Sequence, residues 1–140
     1  MKVKLKVKLS PGAIMPTRAH KLDAGLDLYS PVRQVIRAND WEAIDTLVHV
    51  AIPKNHVGMI TSKSGLMKEG ITSRGTIDCG YVGSVRAVLF NHGKKDYIVE
   101  KGQKITQLVI VPIITPALEL VDELEETERG SGGFGSTGKF

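Results

Sequence analysis

Asp78 is the carboxylate best placed to do chemistry. It lies in Arg74-Gly75-Thr76-Ile77-Asp78-Cys79-Gly80-Tyr81-Val82-Gly83, a glycine-containing turn between two strand-like runs. At the mouth of such a hairpin a carboxylate can take a proton from water, and a tyrosine three residues on can face a sugar or base. A turn aspartate beside a packed tyrosine accounts for the same residues taken alone. In Thr61-Ser62-Lys63-Ser64-Gly65-Leu66, a strand runs into a short helical turn. Hydroxyls, backbone N–H groups and a cation gather there, as a phosphate requires. N-capping by Ser64 is the simpler reading.

Two further polar residues interrupt apolar strands. Asp27, within Ala24-Gly25-Leu26-Asp27-Leu28-Tyr29-Ser30, stands between two core-facing leucines. Its burial is costly unless it is hydrogen-bonded or near a metal, although a turn-capping aspartate would also serve. Gln107, within Gly102-Gln103-Lys104-Ile105-Thr106-Gln107-Leu108, carries an amide that needs a partner, and a cross-strand hydrogen bond would supply one. The last twelve residues, Arg129 to Phe140, include five glycines set around Arg129, Phe134, Ser136, Thr137 and Lys139. That composition suits a flexible linker, or a mobile tail that becomes ordered over a nucleotide. His20, His49, His56 and His92 show no metal-ligand spacing and no evident acid partner.

These residues need a scaffold of strands. Period-2 or β-rich runs cover Val3–Leu9, Val32–Ile36, Leu47–Ile52, Gly58–Ser62, Ser84–Phe90, Tyr97–Val99, Lys104–Ile114 and Glu119–Val121. Turn signals such as Pro53-Lys54-Asn55 and Asn91-His92-Gly93 separate them. The pattern predicts an all-β, jelly-roll-like barrel with a single short helix at Ser64–Glu69, stopped by Gly70. The expected organisation is one β-domain over residues 1–127 carrying the nucleotide site, followed by a Gly-rich tail over 128–140.

With 140 residues, 41% hydrophobic and 24% charged, the composition is that of a soluble globular chain. The longest apolar run is too short to span a bilayer, and the basic N-terminus alternates as a strand does rather than as a signal peptide does. Cys79 is the single cysteine, which excludes an intrachain disulfide and makes the cytoplasm the expected compartment, or the host cytoplasm for a viral chain. The net charge of +4 suits an anionic small molecule. Because it is spread along the chain, neither nucleic acid nor membrane is expected as a partner.

In this order, the five clusters around Asp27, Lys63-Ser64-Gly65, Asp78, Gln107 and Arg129–Gly138 resemble the five motifs of the trimeric deoxyuridine triphosphatases. The resemblance spans residues 24–138. It implies a jelly-roll-like homotrimer with shared active sites that hydrolyses dUTP to dUMP and pyrophosphate with Mg²⁺. On that resemblance Asp78 is the general base, Tyr81 lies against the deoxyribose, and uracil is read by backbone groups of the hairpin around Gly75–Val88, with Gly75 and Ile77 among the substrate-binding residues. Lys63, Ser64, Gly65 and Gln107 hold phosphate oxygens, and Asp27 meets Mg²⁺ through water. Arg129 clamps the γ-phosphate, Phe134 stacks on uracil, and Gly135, Ser136 and Thr137 close over the phosphates. Many relatives carry Arg where Lys63 stands and an acid where Gly80 stands, and the Ser64–Asp78 stretch is a few residues shorter here. The alternatives are a dCTP deaminase of the same fold, which needs an acid placed at C4 of cytosine, and a regulatory binding protein that responds to dUTP.

Overall fold

A computed structural model describes residues 2–140; Met1, the first residue of the expected β-domain, lies outside them. Seven strands form one curled antiparallel sheet in the order β1-β4-β7-β6-β5-β9-β2, and β3 pairs with β8 in a separate two-stranded ribbon. The strands are β1 (Lys6–Leu9), β2 (Gly25–Tyr29), β3 (Gln34–Ile36), β4 (Trp41–Ala51), β5 (His56–Thr61), β6 (Ile71–Ile77), β7 (Ser84–Asn91), β8 (Tyr97–Val99) and β9 (Lys104–Pro112). The expected all-β, jelly-roll-like class is the one observed, with one helix, α1 (Ser64–Lys68).

Strand β4 shows how the sequence builds this sheet. Ile44, Thr46, Val48 and Val50 are buried, and the residues between them face outward, as a period of two requires. The inward residues feed two adjoining cores. One gathers Leu28, Val48, Val50, Ile60, Val85 and Leu108; the other gathers Ile36, Ile44, Leu66, Ile71, Leu89, Val99 and Ile105. Beside the second core, burial pushes the Tyr97 phenol above its usual range, while the hydrogen bond from Gln103 works in the opposite direction.

Several element boundaries differ from the sequence reading, and four of the differences have a physical reason. β4 begins at Trp41, well before Leu47, because Trp41 to Asp45 pairs residue by residue with β7. Ala24–Ser30, read as a polar cluster, contains β2, which pairs with β9. β9 stops at Pro112, which has no N–H to offer a ladder. Glu119–Val121 forms no strand. Within this chain it has no partner, and Ile114, Leu118, Leu120 and Leu124 are almost fully exposed around it.

β4 also carries a bulge. Its ladder with β7 runs from Trp41↔Phe90 to Asp45↔Arg86 and resumes only at His49↔Ser84. Leu47 inside the bulge has φ 60°, which for a residue with a Cβ costs on the order of 1–2 kcal/mol. Its amide donates to the Asp45 carboxylate at 2.9 Å, and its carbonyl accepts the Ser10 amide at 2.9 Å.

Candidate active site

The two strands flanking Asp78 do not form a regular hairpin. They pair only from Ile71↔Asn91 to Ser73↔Leu89 and then splay, β6 turning to β5 and β7 turning to β4. Between them opens a cleft of about 260 Å³ lined by Ile60, Gly75, Thr76, Ile77, Asp78, Tyr81, Ser84, Val85 and Arg86. Two strand edges that no longer pair with each other leave backbone donors and acceptors facing the gap. A flat heterocycle with its own donor and acceptor edge can fill such a space. Ile60 and Ile77 supply the apolar floor.

Asp78 and Tyr81 stand at the mouth of this cleft. Asp78 is exposed, and its carbonyl accepts the Tyr81 amide at 3.1 Å, closing a tight turn. The Tyr81 hydroxyl donates to the Ser84 carbonyl at 2.8 Å, so its ring lies back across Gly83. A Cβ on Gly83 would overlap that ring, so glycine there lets the Tyr81 ring keep this position. Half of Tyr81 stays exposed, and its ring edges the cleft.

A second cluster forms where β2, β9 and the end of β5 meet. Asp27 pairs with Gln107, which pairs in turn with Thr61. The Asp27 side chain is buried, and both its oxygens face ammonium groups: Lys63 on one, Lys104 at 3.3 Å on the other. One buried carboxylate against two cations leaves a local excess of positive charge. The remaining N–H donors of both lysines are free for an anion. Gln107 lies beside them, its amide donating to the Ser62 carbonyl at 3.0 Å. A side chain on Gly25 would collide with Gln107, so the glycine makes room for the amide.

Ser64 opens α1, but Lys63 occupies the capping position and no side chain caps the helix. Ser64 is exposed, and among the described residues its hydroxyl makes no hydrogen bond. The capping explanation for Ser64 therefore does not hold. Open space surrounds the Gly65 Cα where a side chain would stand.

The structure brings these residues together as two groups and not as one. Lys63 follows the Thr61 end of β5, whereas Asp78 follows Ile77, which pairs with Gly58 near the opposite end. At about 3.3 Å per residue, the two groups lie roughly 15–20 Å apart along the sheet. The tail joins neither. Its turns close on themselves through Gly132 to Arg129, Ser136 to Gly133 and Gly138 to Gly135, and the Arg129 guanidinium donates to the Gly132 carbonyl. Phe134 is fully exposed, and its neighbours Gly135, Ser136 and Thr137 are exposed too. Among the described residues, the one hydrogen bond from residues 128–140 to the β-domain is local, from the Gly130 amide to the Thr127 hydroxyl at 3.0 Å.

The dUTPase family model matches residues 12–138. The chain belongs to the dUTPase family. The deoxyuridine 5'-triphosphate nucleotidohydrolase of Clostridium acetobutylicum is 46% identical over 141 residues, covering 97% of both chains. The dUTPase of Staphylococcus bacteriophage 80alpha, solved with dUpNHpp, superposes with a TM-score of 0.92 at 37% identity, over 99% of this chain and 100% of that one. A mutant dUTPase from phage phi11 of S. aureus, whose structure describes a structural Mg(II) ion, superposes at 0.82 with 34% identity, over 89% of this chain and 100% of that one.

Membership of the dUTPase family raises the question of Mg²⁺. Among the described residues, no three His, Cys, Asp or Glu side chains converge. Magnesium takes oxygen ligands in strict octahedral geometry, and the one buried carboxylate is already flanked by two ammonium groups. Side chains of this chain alone do not make a resident Mg²⁺ site. Two dUTPase residues escaped the sequence reading. Lys104 stands in the sequence only as part of a motif, and no local spacing indicates its reach to Asp27. His49, dismissed for want of an acid partner, contacts the Asp78 turn through a backbone carbonyl, which no sequence spacing reveals.

Proposed function

We propose that the chain hydrolyses dUTP to dUMP and pyrophosphate at a site assembled from the cleft of one subunit and the lysine cluster of another. The observation that carries this is the splayed β6–β7 pair: a base-sized cleft edged by unpaired backbone, with a carboxylate and an aromatic ring at its mouth. Uracil lies between the strand edges near Gly75 and Ile77, where thymine's methyl finds no room. Tyr81 faces the deoxyribose and leaves no space for a 2′-hydroxyl. A pocket that hydrogen-bonds one base edge rejects cytosine because its buried groups would go unpaired.

Asp78 takes the proton of a water whose oxygen attacks the α-phosphorus. The bond from the α-phosphorus to the bridging oxygen breaks, and pyrophosphate leaves with the electron pair. Lys63, Ser64, Gln107 and the Gly65 amide hold the phosphates. Lys104 adds a second cation, and Asp27 keeps both lysines aimed. Phosphoryl transfer depends on such positioning and charge neutralisation. Mg²⁺ enters as the counter-ion of the triphosphate and so belongs to the substrate. The water-mediated link from Asp27 to that ion remains part of the proposal, and no step here runs through it.

A water at Asp78 must reach the α-phosphorus directly, which one subunit cannot arrange across 15–20 Å of sheet. The resemblance to the trimeric dUTPases supports a homotrimer as that assembly. The bare apolar side chains between Ile114 and Leu124 fit it, since an arm this exposed needs a neighbour to cover it. The tail, 128–140, then closes on a loaded site, with Arg129 on the γ-phosphate, Phe134 on uracil and Gly135, Ser136 and Thr137 over the phosphates. A lid of this kind excludes bulk water. No helix among the described residues is long and apolar enough to cross a membrane, and the cytoplasm is the proposed compartment.

Pyrophosphate release from dUTP, dCTP, dTTP and UTP, with Mg²⁺ and with EDTA, tests the reading. Turnover of dUTP should exceed the others by at least about a hundredfold and collapse in EDTA. Ammonia release from dCTP would replace the hydrolase with a deaminase.

A further inference from the structure

The turn that carries Asp78 has few anchors of its own. Between Asp78 and Gly83 there is one backbone hydrogen bond, Tyr81 to Asp78, and one from a side chain, Tyr81 to Ser84. Gly80 stands in open space, and the Val82 side chain is mostly exposed, so packing adds little. One group from outside the turn reaches it. The His49 ring, on β4 just past the bulge, places Nδ1 2.9 Å from the Val82 carbonyl and Nε2 2.9 Å from the Ser10 hydroxyl.

A carbonyl oxygen only accepts, so Nδ1 carries the proton, and in the neutral ring Nε2 accepts from Ser10. His49 is itself well fixed. It lies between Lys8 of β1 and Ser84 of β7 in the ladders, two residues after the strained Leu47. The nearby Thr46 and Asp45 contacts go to Val85 and Ser84, which anchor the strand below the turn and leave the turn itself to His49.

We propose that His49 is a positioning residue: its Nδ1–H clamps the Val82 carbonyl and holds the turn in the conformation that presents Asp78 to the attacking water. The proposal rests on Asp78 being the base. Misplacing a reacting group by even an ångström is costly to the rate, whereas most of the cleft that binds the nucleoside lies on the strands and only Asp78 and Tyr81 of its lining share the clamped turn. Loss of His49 therefore lowers kcat more than it weakens nucleotide binding.

The side-chain amides separate the two ring nitrogens. Asn has a donor at the level of Nδ1, and Gln has one at the level of Nε2. His49→Ala should lower kcat about five- to tenfold, the loss of one net hydrogen bond, with dUpNHpp affinity changed no more than about twofold. His49→Asn should recover most of the loss and His49→Gln little of it. Ser10→Ala, which removes only the Nε2 partner, should leave kcat near wild type. An unchanged kcat in His49→Ala overturns the clamp, and so does equal rescue by Gln and Asn, or a loss of dUpNHpp affinity as large as the loss of kcat. Asp78→Asn measured alongside separates the two levels. Full turnover there overturns the base and the clamp together. Lost turnover there, with wild-type turnover in His49→Ala, overturns the clamp alone.

Discussion

The two halves of the site are made by opposite means. The lysine cluster is a matter of side chains: a buried carboxylate, two ammonium groups and an amide brought together by the register of β2, β9 and β5. The cleft is a matter of backbone: β6 and β7 part after Ser73↔Leu89, and the edges they expose do the reading. Charge that must neutralise a flexible polyphosphate tolerates long, mobile lysines. Selection of one flat base does not, and unpaired strand edges held by two neighbouring strands supply the stiffness. The halves also differ in how they are held. Ion pairs lock the first, and the second depends on a short turn with sparse anchors.

Breaking each half should give a different kinetic signature. The largest effect falls on the cleft side: Asp78→Asn should lower turnover by about a thousandfold while dUpNHpp still binds, since only the proton acceptor is lost. Turnover near wild type would remove Asp78 as the base. Next comes the tail that belongs to neither half. Truncation after Glu128 should lower kcat/KM about a hundredfold with the thermal midpoint unchanged, because, among the described residues, 129–140 meet the domain only through a local hydrogen bond from the Gly130 amide to Thr127. Full activity in the truncated chain would discard the lid. The smallest effect falls on the lysine cluster. Lys104→Gln should raise KM for dUTP about five- to tenfold and weaken dUpNHpp far more than dUMP, with the preference for uracil over cytosine intact. Equal weakening of both ligands would reduce Lys104 to a structural partner of Asp27.

Much of this was legible in the chain. The strand over Leu47–Ile52, the stop at Gly70 and the polar interruptions at Asp27 and Gln107 all follow from local chemistry. The order of the clusters pointed to the family. What stayed hidden was long-range. Whether β6 keeps pairing with β7 depends on competition from β5 and β4, which no local run encodes. The Lys104–Asp27 pair and the His49–Val82 hydrogen bond join residues 77 and 33 positions apart through sheet register alone. Ser64 shows the reverse: local propensity made it a cap, and the chain entered the helix one residue earlier, through Lys63.

The central claim is that the two halves of a working site come from different subunits. It is tested most directly by mixing two dead enzymes. Asp78→Asn chains keep an intact lysine cluster, and Lys63→Ala/Gln107→Ala chains keep an intact cleft. Unfolded together in equal amounts and refolded, they should form hybrid trimers in which about a quarter of the sites pair two sound halves, so activity should return to roughly a quarter of wild type. Activity no higher than the mean of the two parents would contradict the account and place both halves of each site within one chain.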